Sequence, residues 1–360
     1  MLTFIIFILV LGVLVVVHEF GHFWIARRNG VRVDEFGFGF PPKLLGIKRG
    51  ETLYSFNALP LGGFVKIFGE DMEEGKDDPR SFATKSVGAR FRIIVAGVVM
   101  NFILAVVLFS FGSAIGLPSA IDGSNEKYAR DISVQIIGVA KNSPAELSGI
   151  KMGDKILEVG GWKLEVGDSQ IEKIQKVISE NKGQEIIITV QRKDEILNIK
   201  TIPRVEIPKD EGALGIAMAK VGIVAYPVYL APIKGVEAAF GVGINFIHSV
   251  YSIFNIWITD GRMIGDIAGP VGIFTLTGQA ARLGFIYLLQ FVAMLSVNLA
   301  IINAVPFPAL DGGRLLFLGL EKIKGSPISI KWEKYAHIIG FAILILLILL
   351  ITYKDVRRMF

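Results

Sequence analysis

The sequence contains two histidines one helical turn apart with a glutamate between them, in the segment His18-Glu19-Phe20-Gly21-His22. This His-Glu-x-x-His spacing places both imidazoles on one helix face, where they can bind zinc. It leaves the glutamate beside the metal, where it can accept a proton from a bound water. We therefore predict that His18 and His22 are zinc ligands and that Glu19 is the catalytic base.

The motif follows an uncharged, apolar run at residues 2–17. A charged side chain at bilayer depth costs about 2.5 to 3.5 kcal/mol on insertion scales, so such groups persist there mainly for catalysis or transport. A cleaved signal peptide is the alternative for this run, but neither a preceding lysine or arginine nor a small-residue cleavage site is present. The pattern points to hydrolytic chemistry within a membrane.

The composition is that of a membrane protein, since 52% of the 360 residues are hydrophobic and only 20% are charged. The absence of cysteine excludes a disulfide framework and a thiolate zinc site, so nitrogen and oxygen atoms must hold any metal. The net charge of +5 comes from lysines and arginines scattered along loops, which suits anionic lipid surfaces. We find no nucleic-acid-binding motif in the sequence.

Four segments are long and apolar enough to cross about 30 Å of hydrocarbon. The first contains the histidine motif, and the others lie at residues 93–117, 284–305 and 336–353. A fifth apolar segment, 238–259, carries its large apolar residues on one helical stripe and polar residues elsewhere. We predict that this segment forms an amphipathic helix at the membrane interface or against the bundle and does not span.

Loop charge predicts the orientation. The segment between the first two spans is rich in basic residues: Arg27, Arg28, Arg32, Lys43, Lys48, Arg49, Lys85, Arg90 and Arg92. Because cytoplasmic loops carry such an excess, this side is predicted to be the cytoplasm, with residues 118–282 outside and the stretch after residue 305 inside. Three tail charges oppose this assignment, because a fourth span places them outside: Lys354, Arg357 and Arg358.

A catalytic zinc needs a third protein ligand and an open position for water. The only other histidines are His248 and His337, and each is explained more simply as a polar side chain at a membrane boundary. Asp311 is the better candidate, because it follows the third span in the sequence NAVPFPALDGG, where prolines end the helix and glycines permit close backbone approach. A solvated turn aspartate is the alternative, but span parity brings Asp311 to the side of the motif histidines.

HEFGH in the first span and NAVPFPALDGG after the third together resemble the site-2 protease family, specifically the RseP-like bacterial intramembrane zinc metalloproteases. The resemblance covers nearly the whole chain. It extends to residues 269–273 (GPVGI) and 296–300 (SVNLA). It also includes one PDZ-like domain between the second and third spans, whereas the namesake of the group has two in tandem.

The resemblance implies a Zn2+ ion bound by His18, His22 and Asp311, with Glu19 as the catalytic base. It also implies that two asparagines of the third span, Asn298 and Asn303, help to hold an unwound substrate segment. The same asparagines could equally stabilise the helix bundle through interhelical hydrogen bonds.

The fold class predicted is a polytopic α-helical membrane protein of about four transmembrane helices, with a membrane-associated β-loop and one extramembrane PDZ-like α+β domain. The β-loop prediction rests on apolar alternation with glycine within residues 31–68, for which a plain cytoplasmic hairpin is the alternative. In chain order, the predicted segments are a first span with the zinc motif (1–27), a cytoplasmic or membrane-associated β-loop region (28–90), a second span (91–118), the PDZ-like domain (125–205), a linker with the interfacial helix (206–282), a third span ending in the Leu-Asp-Gly motif (283–313), a cytoplasmic loop (314–334) and a fourth span (335–354).

The predicted function is zinc-dependent cleavage of single-span membrane proteins in or near their transmembrane segments. The predicted location is the bacterial inner membrane, with the zinc site toward the cytoplasm and the PDZ-like domain outside. Members of the family that the chain resembles cut anti-sigma factors and remnant signal peptides. Two alternatives remain: a catalytically silent PDZ scaffold that captures partners, and a zinc protease acting on soluble cytoplasmic chains. For the PDZ-like domain, peptide binding by strand addition and exclusion of bulky substrates by size both stay open. Size exclusion is favoured here, because an intramembrane protease must reject intact ectodomains.

Overall fold

The architecture was determined from a computed structural model that describes residues 1–71, 75, 77–164, 170–192, 195–208, 211–260, 268–326 and 328–357. The chain forms two compact units, one of Met1–Gly112 with Val228–Phe360 and one of Ser113–Pro227. In chain order the main elements are α1 (Leu2–Arg28), β1 (Val33–Arg49), β2 (Thr52–Ile67), α2 (Val87–Ile115), β3 (Leu117–Ala120), β4 (Ala129–Val139), α3 (Pro144–Leu147), β5 (Lys155–Val159), β6 (Trp162–Lys163), α4 (Gln170–Glu180), β7 (Ile186–Arg192), β8 (Glu195–Thr201), β9 (Ile216–Val224), α5 (Ala231–Asp260), α6 (Pro270–Leu283), α7 (Phe285–Ala304), α8 (Asp311–Lys324) and α9 (Ile330–Arg357).

Four of the described helices, α1, α2, α7 and α9, are long and apolar enough to cross a membrane. This confirms the predicted number of spans. The helices carry apolar side chains around their whole circumference, as expected for segments surrounded by lipid and by other helices. Of the tail charges that oppose the predicted orientation, Arg358 lies outside the described residues.

Between α1 and α2, strands β1 and β2 form a long antiparallel hairpin, with Val33 opposite Ile67 at its base and Arg49 opposite Thr52 at its tip. The base is buried against α1, where Phe23 packs edge-on against Phe36 of β1, with ring centroids 5.3 Å apart. The tip exposes apolar residues. The hairpin therefore has one end anchored beside the histidine-bearing helix.

The segment predicted as an amphipathic helix, 238–259, lies within α5. Its N-terminal half packs against the bundle: the Phe240 ring contacts Phe102 of α2 at 5.0 Å between centroids, and Gly243 lies against Val297 of α7. Farther along, apolar residues such as Ile247 and Tyr251 are exposed. Of the two placements predicted for this helix, packing against the bundle describes its first half.

The second unit is a seven-stranded antiparallel sheet with the order β3-β9-β4-β5-β7-β8, to which β6 adds beside β5. Ile174 and Ile178 of α4 are buried in its core with strand residues such as Ile136 and Ile188. The strand predicted at 133–139 lies within β4, and the helix predicted at 171–179 lies within α4. The predicted linker 206–282 includes β9, which the sequence pattern did not reveal because its small residues show no clear apolar alternation.

Candidate metal centre

Three side chains predicted as ligands converge at one point in the first unit. The Oδ2 atom of Asp311 lies 3.1 Å from Nε2 of His18 and 3.3 Å from Nε2 of His22. The two Nε2 atoms are themselves 3.2 Å apart. His18 and His22 lie one turn apart on α1, and Asp311 is the first residue of α8. Residues that are far apart in the sequence therefore share one site.

These distances fit a zinc ion. For bonds of about 2.0 to 2.1 Å in a tetrahedral site, neighbouring ligand atoms lie roughly 3.3 Å apart, and all three edges of this triangle are close to that length. The Oδ2 of Asp311 is buried and has no hydrogen-bond partner among the residues that the structure describes. A cation at the centre of the triangle would compensate that buried negative charge.

Hydrogen bonds at the far side of the imidazoles support the same interpretation. Nδ1 of His22 lies 2.8 Å from the backbone oxygen of Ile93, which can only accept, so Nδ1 carries the proton. The lone pair of His22 Nε2 is therefore directed toward Asp311. Electron pairs from a carboxylate and an imidazole repel each other unless a cation lies between them.

His18 has an equivalent partner in Asn101 of α2. The amide nitrogen of Asn101 lies 3.3 Å from Nδ1 of His18, and Asn101 is fully buried. The amide oxygen of Asn101 finds no hydrogen-bond partner in the described part of the chain. The oxygen and nitrogen of an amide are assigned from their surroundings, so the two atoms of Asn101 can be exchanged. After the exchange, the amide oxygen accepts a hydrogen bond from Nδ1–H of His18. Asn101 then directs Nε2 of His18 toward the same point.

Glycines allow α2 to approach the site. A Cβ atom at Gly97 would lie 2.7 Å from Cε1 of both His18 and His22, and closer still to Nε2 of His22. A Cβ at Gly21 of α1 would lie 2.7 Å from the carbonyl carbon of Ala96. Real Cβ atoms do not approach so closely, so glycine is required at both positions for the two helices to pack at this distance.

The turn from α7 to α8 positions Asp311. Pro306 and Pro308 prevent the α7 helix from continuing, and Ala309 adopts a positive φ of 79°. A Cβ at Gly312 would collide with the backbone of Val305, and one at Gly313 would lie 2.8 Å from the carbonyl carbon of Phe307. The prolines and glycines of the motif therefore build a compact turn, as predicted from its sequence.

A cavity of about 280 Å³ surrounds the triangle. It is lined by His18, Glu19, His22 and Asp311, by Phe64 and Val65 of β2, and by further residues including Arg314 and His337. A Cβ at Gly63 would lie 3.7 Å from Cγ of Glu19, so the β2 backbone passes beside the predicted base. The arrangement brings three potential metal ligands, the Glu19 carboxylate and an extended backbone together in one cavity.

The structure does not bring the two predicted substrate-binding asparagines to this cavity. Neither Asn298 nor Asn303 is among the described residues that line it. The Oδ1 atom of Asn298 is buried and has no hydrogen-bond partner within the described ranges, and Asn303 is half-buried near the end of α7. Their role in substrate binding stays a prediction.

Several residues at the site were not identified from sequence. Asn101 carried a usable signal, because a polar side chain within a membrane span suggests function. His337, interpreted as a boundary residue, instead lines the cavity and accepts a hydrogen bond from the backbone N–H of Ala309 at 2.9 Å.

Arg314 forms an ion pair with Glu70, whose negative charge raises the pKa of Arg314. His248 is exposed on α5 and lies outside the cavity.

Fold and site together define a membrane-embedded metallopeptidase. The model of peptidase family M50 matches residues 6–347. The regulator of sigma-W protease RasP from Bacillus subtilis is 31% identical over 442 residues, covering 99% of both chains. The zinc metalloprotease RasP from Oceanobacillus iheyensis is 30% identical over 442 residues, covering 100% of both. A protein from Clostridium acetobutylicum is 36% identical over 350 residues, covering 97% of this chain and 96% of its own length. The chain belongs to peptidase family M50, the site-2 protease family that its two motifs predicted.

Proposed function

We propose that this protein is an intramembrane zinc metalloendopeptidase that hydrolyses peptide bonds within or near the transmembrane segments of single-span membrane proteins. The observation that carries the proposal is the triangle of His18, His22 and Asp311 lone pairs beside Glu19, built on a helix that is apolar enough to span a membrane. Anti-sigma factors fit the substrate class, because the B. subtilis relative is named as a regulator of sigma-W.

His18, His22 and Asp311 would hold the zinc ion. When bound, zinc acts as a Lewis acid toward the scissile carbonyl and lowers the pKa of a water molecule toward about 7. Glu19 lines the same cavity, so its carboxylate can take a proton from the attacking water and deliver it to the leaving amine. Asn101 and the backbone oxygen of Ile93 keep the two imidazoles oriented throughout.

The β1–β2 hairpin is proposed to receive the substrate. A transmembrane helix holds its carbonyl groups in internal hydrogen bonds, so the substrate must unwind before water can attack. An unwound segment can add as a further strand to an open sheet edge. Phe64 and Val65 of β2 line the cavity, and the backbone at Gly63 runs beside Glu19. A strand added here would carry its peptide bonds past the catalytic base.

Two ion pairs support the proposed orientation. Arg90, at the start of α2, forms a bidentate pair with Glu321 of α8, and Glu70 pairs with Arg314 of the same helix. The segment between the first two spans therefore lies on the same side of the bundle as the segment after the third. Because the first of these segments is rich in basic residues, we place this side, with the metal centre, toward the cytoplasm of a bacterial inner membrane.

The second unit is proposed to be a PDZ-like domain that binds an extended peptide. β3 pairs only with residues 221–224 of β9, which leaves the edge at 216–219 open on that side among the described residues. A cavity of about 200 Å³ beside this edge is lined by Ile178 of α4, by Met218 and by the exposed Lys182. An apolar peptide end could fill this groove while its backbone pairs with β9. These features favour peptide binding over a role in size exclusion alone.

The substitution Glu19→Gln tests the proposed reaction. The purified wild-type protein, in lipid vesicles and loaded with zinc, should cleave a model single-span substrate. Glu19→Gln should retain the same zinc content and lose cleavage by about a hundredfold or more, because the amide cannot accept the proton. Glu237→Gln, a matched change at an exposed position of α5 outside the cavity, should cleave as the wild type does.

The same assay distinguishes the alternatives. A soluble unfolded chain is offered beside the membrane substrate. Cleavage of only the soluble chain would favour the protease of cytoplasmic chains. A zinc-loaded wild-type protein that cleaves neither, yet retains partners through its second unit, would favour the silent scaffold.

A further inference from the structure

The turn that carries Asp311 contains a residue in an unfavourable backbone conformation. Ala309, two residues before Asp311, has a φ of +79°, a region that L-residues with a Cβ rarely occupy. The turn is otherwise closed by short-range hydrogen bonds, including those from Leu310 N–H to Phe307 O and from Gly313 N–H to Leu310 O. A strained conformation persists only where the surrounding structure holds it, so contacts from outside the turn are required.

Helix α9 supplies those contacts. Nδ1 of His337 accepts a hydrogen bond from the N–H of Ala309 at 2.9 Å. One turn later on the same helix face, Gly340 lies so close to the turn that a Cβ there would be 2.5 Å from the backbone oxygen of Pro308. The helix therefore contacts two consecutive residues of the turn, one by a polar bond and one by close backbone packing.

The register of α9 is fixed at its opposite end. Oδ2 of Asp355 accepts a hydrogen bond at 2.8 Å from the N–H of Gly272, in the first turn of α6. Asp355 is buried, and a Cβ at Gly269 would lie 2.8 Å from its carboxylate oxygen. This interaction gives the GPVGI segment a structural role. With one end of α9 held here, the position of His337 along the turn is determined.

The bond to Ala309 assigns the protonation of His337. A backbone N–H can only donate, so Nδ1 is the acceptor and Nε2 carries the proton. Nε2 is buried and no described residue forms a hydrogen bond with it; Oε1 of Glu333 lies 4.0 Å away. The neighbouring Phe317 ring packs against the imidazole at 5.7 Å between centroids. The ring is thus held in place with one nitrogen committed to the turn.

From these contacts we propose that His337 is a positioning residue of the metal centre. Its Nδ1 holds Ala309 in the positive-φ conformation and thereby aims the Asp311 carboxylate at the two imidazoles. The inference rests on the proposed role of Asp311 as a zinc ligand. His337 acts on Asp311 through the backbone of the turn, so the first property to change should be metal affinity.

The test measures the dissociation constant of zinc by competition with a chelator, using the full chain in detergent. His337→Leu should weaken zinc binding by roughly ten- to a hundredfold, the usual effect of removing a group that orients a ligand. His337→Asn should bind zinc as the wild type does, because its Oδ1 can accept at the place of Nδ1. Ile338→Ala, an exposed neighbour on α9, should have no effect.

A second comparison separates positioning from general stability. Glycine adopts positive φ without a Cβ penalty, so Ala309→Gly should make the turn less dependent on its hydrogen bond. The loss caused by His337→Leu should then be several-fold smaller in the Ala309→Gly background than in the wild type. An equal loss in both backgrounds would overturn the inference, as would zinc loss in His337→Asn or wild-type affinity in His337→Leu. A wild-type protein that binds no zinc would instead refute the proposed function.

Discussion

The proposed metal centre requires that residue 97 of α2 has no side chain, because the imidazoles of α1 pack directly against Gly97. A Cβ at this position would lie 2.7 Å from Cε1 of both His18 and His22. Carbon atoms in ordinary contact are about 3.5 Å apart, so Gly97→Ala forces the rings or the helices to separate by about 1 Å. The present edges of the ligand triangle, 3.1 to 3.3 Å, leave no slack for such a shift in a tetrahedral site.

A displacement of about 1 Å at a catalytic centre costs on the order of a hundredfold in rate. We therefore expect Gly97→Ala to lower kcat/KM for a single-span substrate by about that factor and to weaken zinc binding. The chain offers a matched control in Gly88, also on α2, where a Cβ would meet nothing within 4 Å. Alanine favours a helix over glycine by about 1 kcal/mol, so Gly88→Ala should be at least as stable and fully active.

Two outcomes of this comparison would refute the reasoning. If Gly97→Ala and Gly88→Ala have the same zinc affinity and the same kcat/KM, the close packing of α2 against the imidazoles does not determine the site. A Gly97→Ala protein that keeps its zinc but loses activity would place the effect on substrate access and contradict the reasoning from ligand distances.

Two further predictions concern the partner of His18 and the groove of the second unit. Asn101→Leu should raise the zinc dissociation constant by about tenfold, because it removes the group that orients His18; Ser110→Ala on the same helix should not, and calorimetric titration would distinguish them. Met218→Glu should weaken binding of peptides with an apolar C-terminus by about tenfold or more, since it places a charge in an apolar groove. Its neighbour Ala217 is exposed and points to the opposite face of β9, so equal loss of peptide binding in Ala217→Glu would argue against the groove.

Sequence reasoning predicted those parts of this protein that depend on the residues of one local segment. The four spans follow from apolar length alone, and the turn of Asp311 follows from two prolines and two glycines. The convergence of Asp311 with His18 and His22 needed an additional argument, the parity of the spans, because no local pattern links residues so distant in the chain.

The residues that escaped prediction depend on packing between elements. His337 looks like any polar residue near the end of a span, and only the close approach of α9 to the turn reveals its bond to Ala309. Gly97 looks like any glycine in an apolar helix until the imidazoles of α1 are placed against it. Strand β9 was missed because its small residues show no clear apolar alternation, although it pairs with both β3 and β4.

The two halves of the ligand set are held by different forces. His18 and His22 are held by a rigid span whose glycine contacts with α2 tolerate no added atom. Asp311 is held by a strained turn whose Ala309 N–H donates a hydrogen bond to His337 of α9. Substitutions beside His18 and His22 should therefore weaken zinc binding by steric clash, and restoring a polar group should not rescue it. Substitutions that disturb the Asp311 turn should be rescued by a hydrogen-bond acceptor at position 337 or by a residue at position 309 that tolerates positive φ. Because strain must be compensated by neighbouring contacts, the proposed metal centre should depend on α9 as much as on α1.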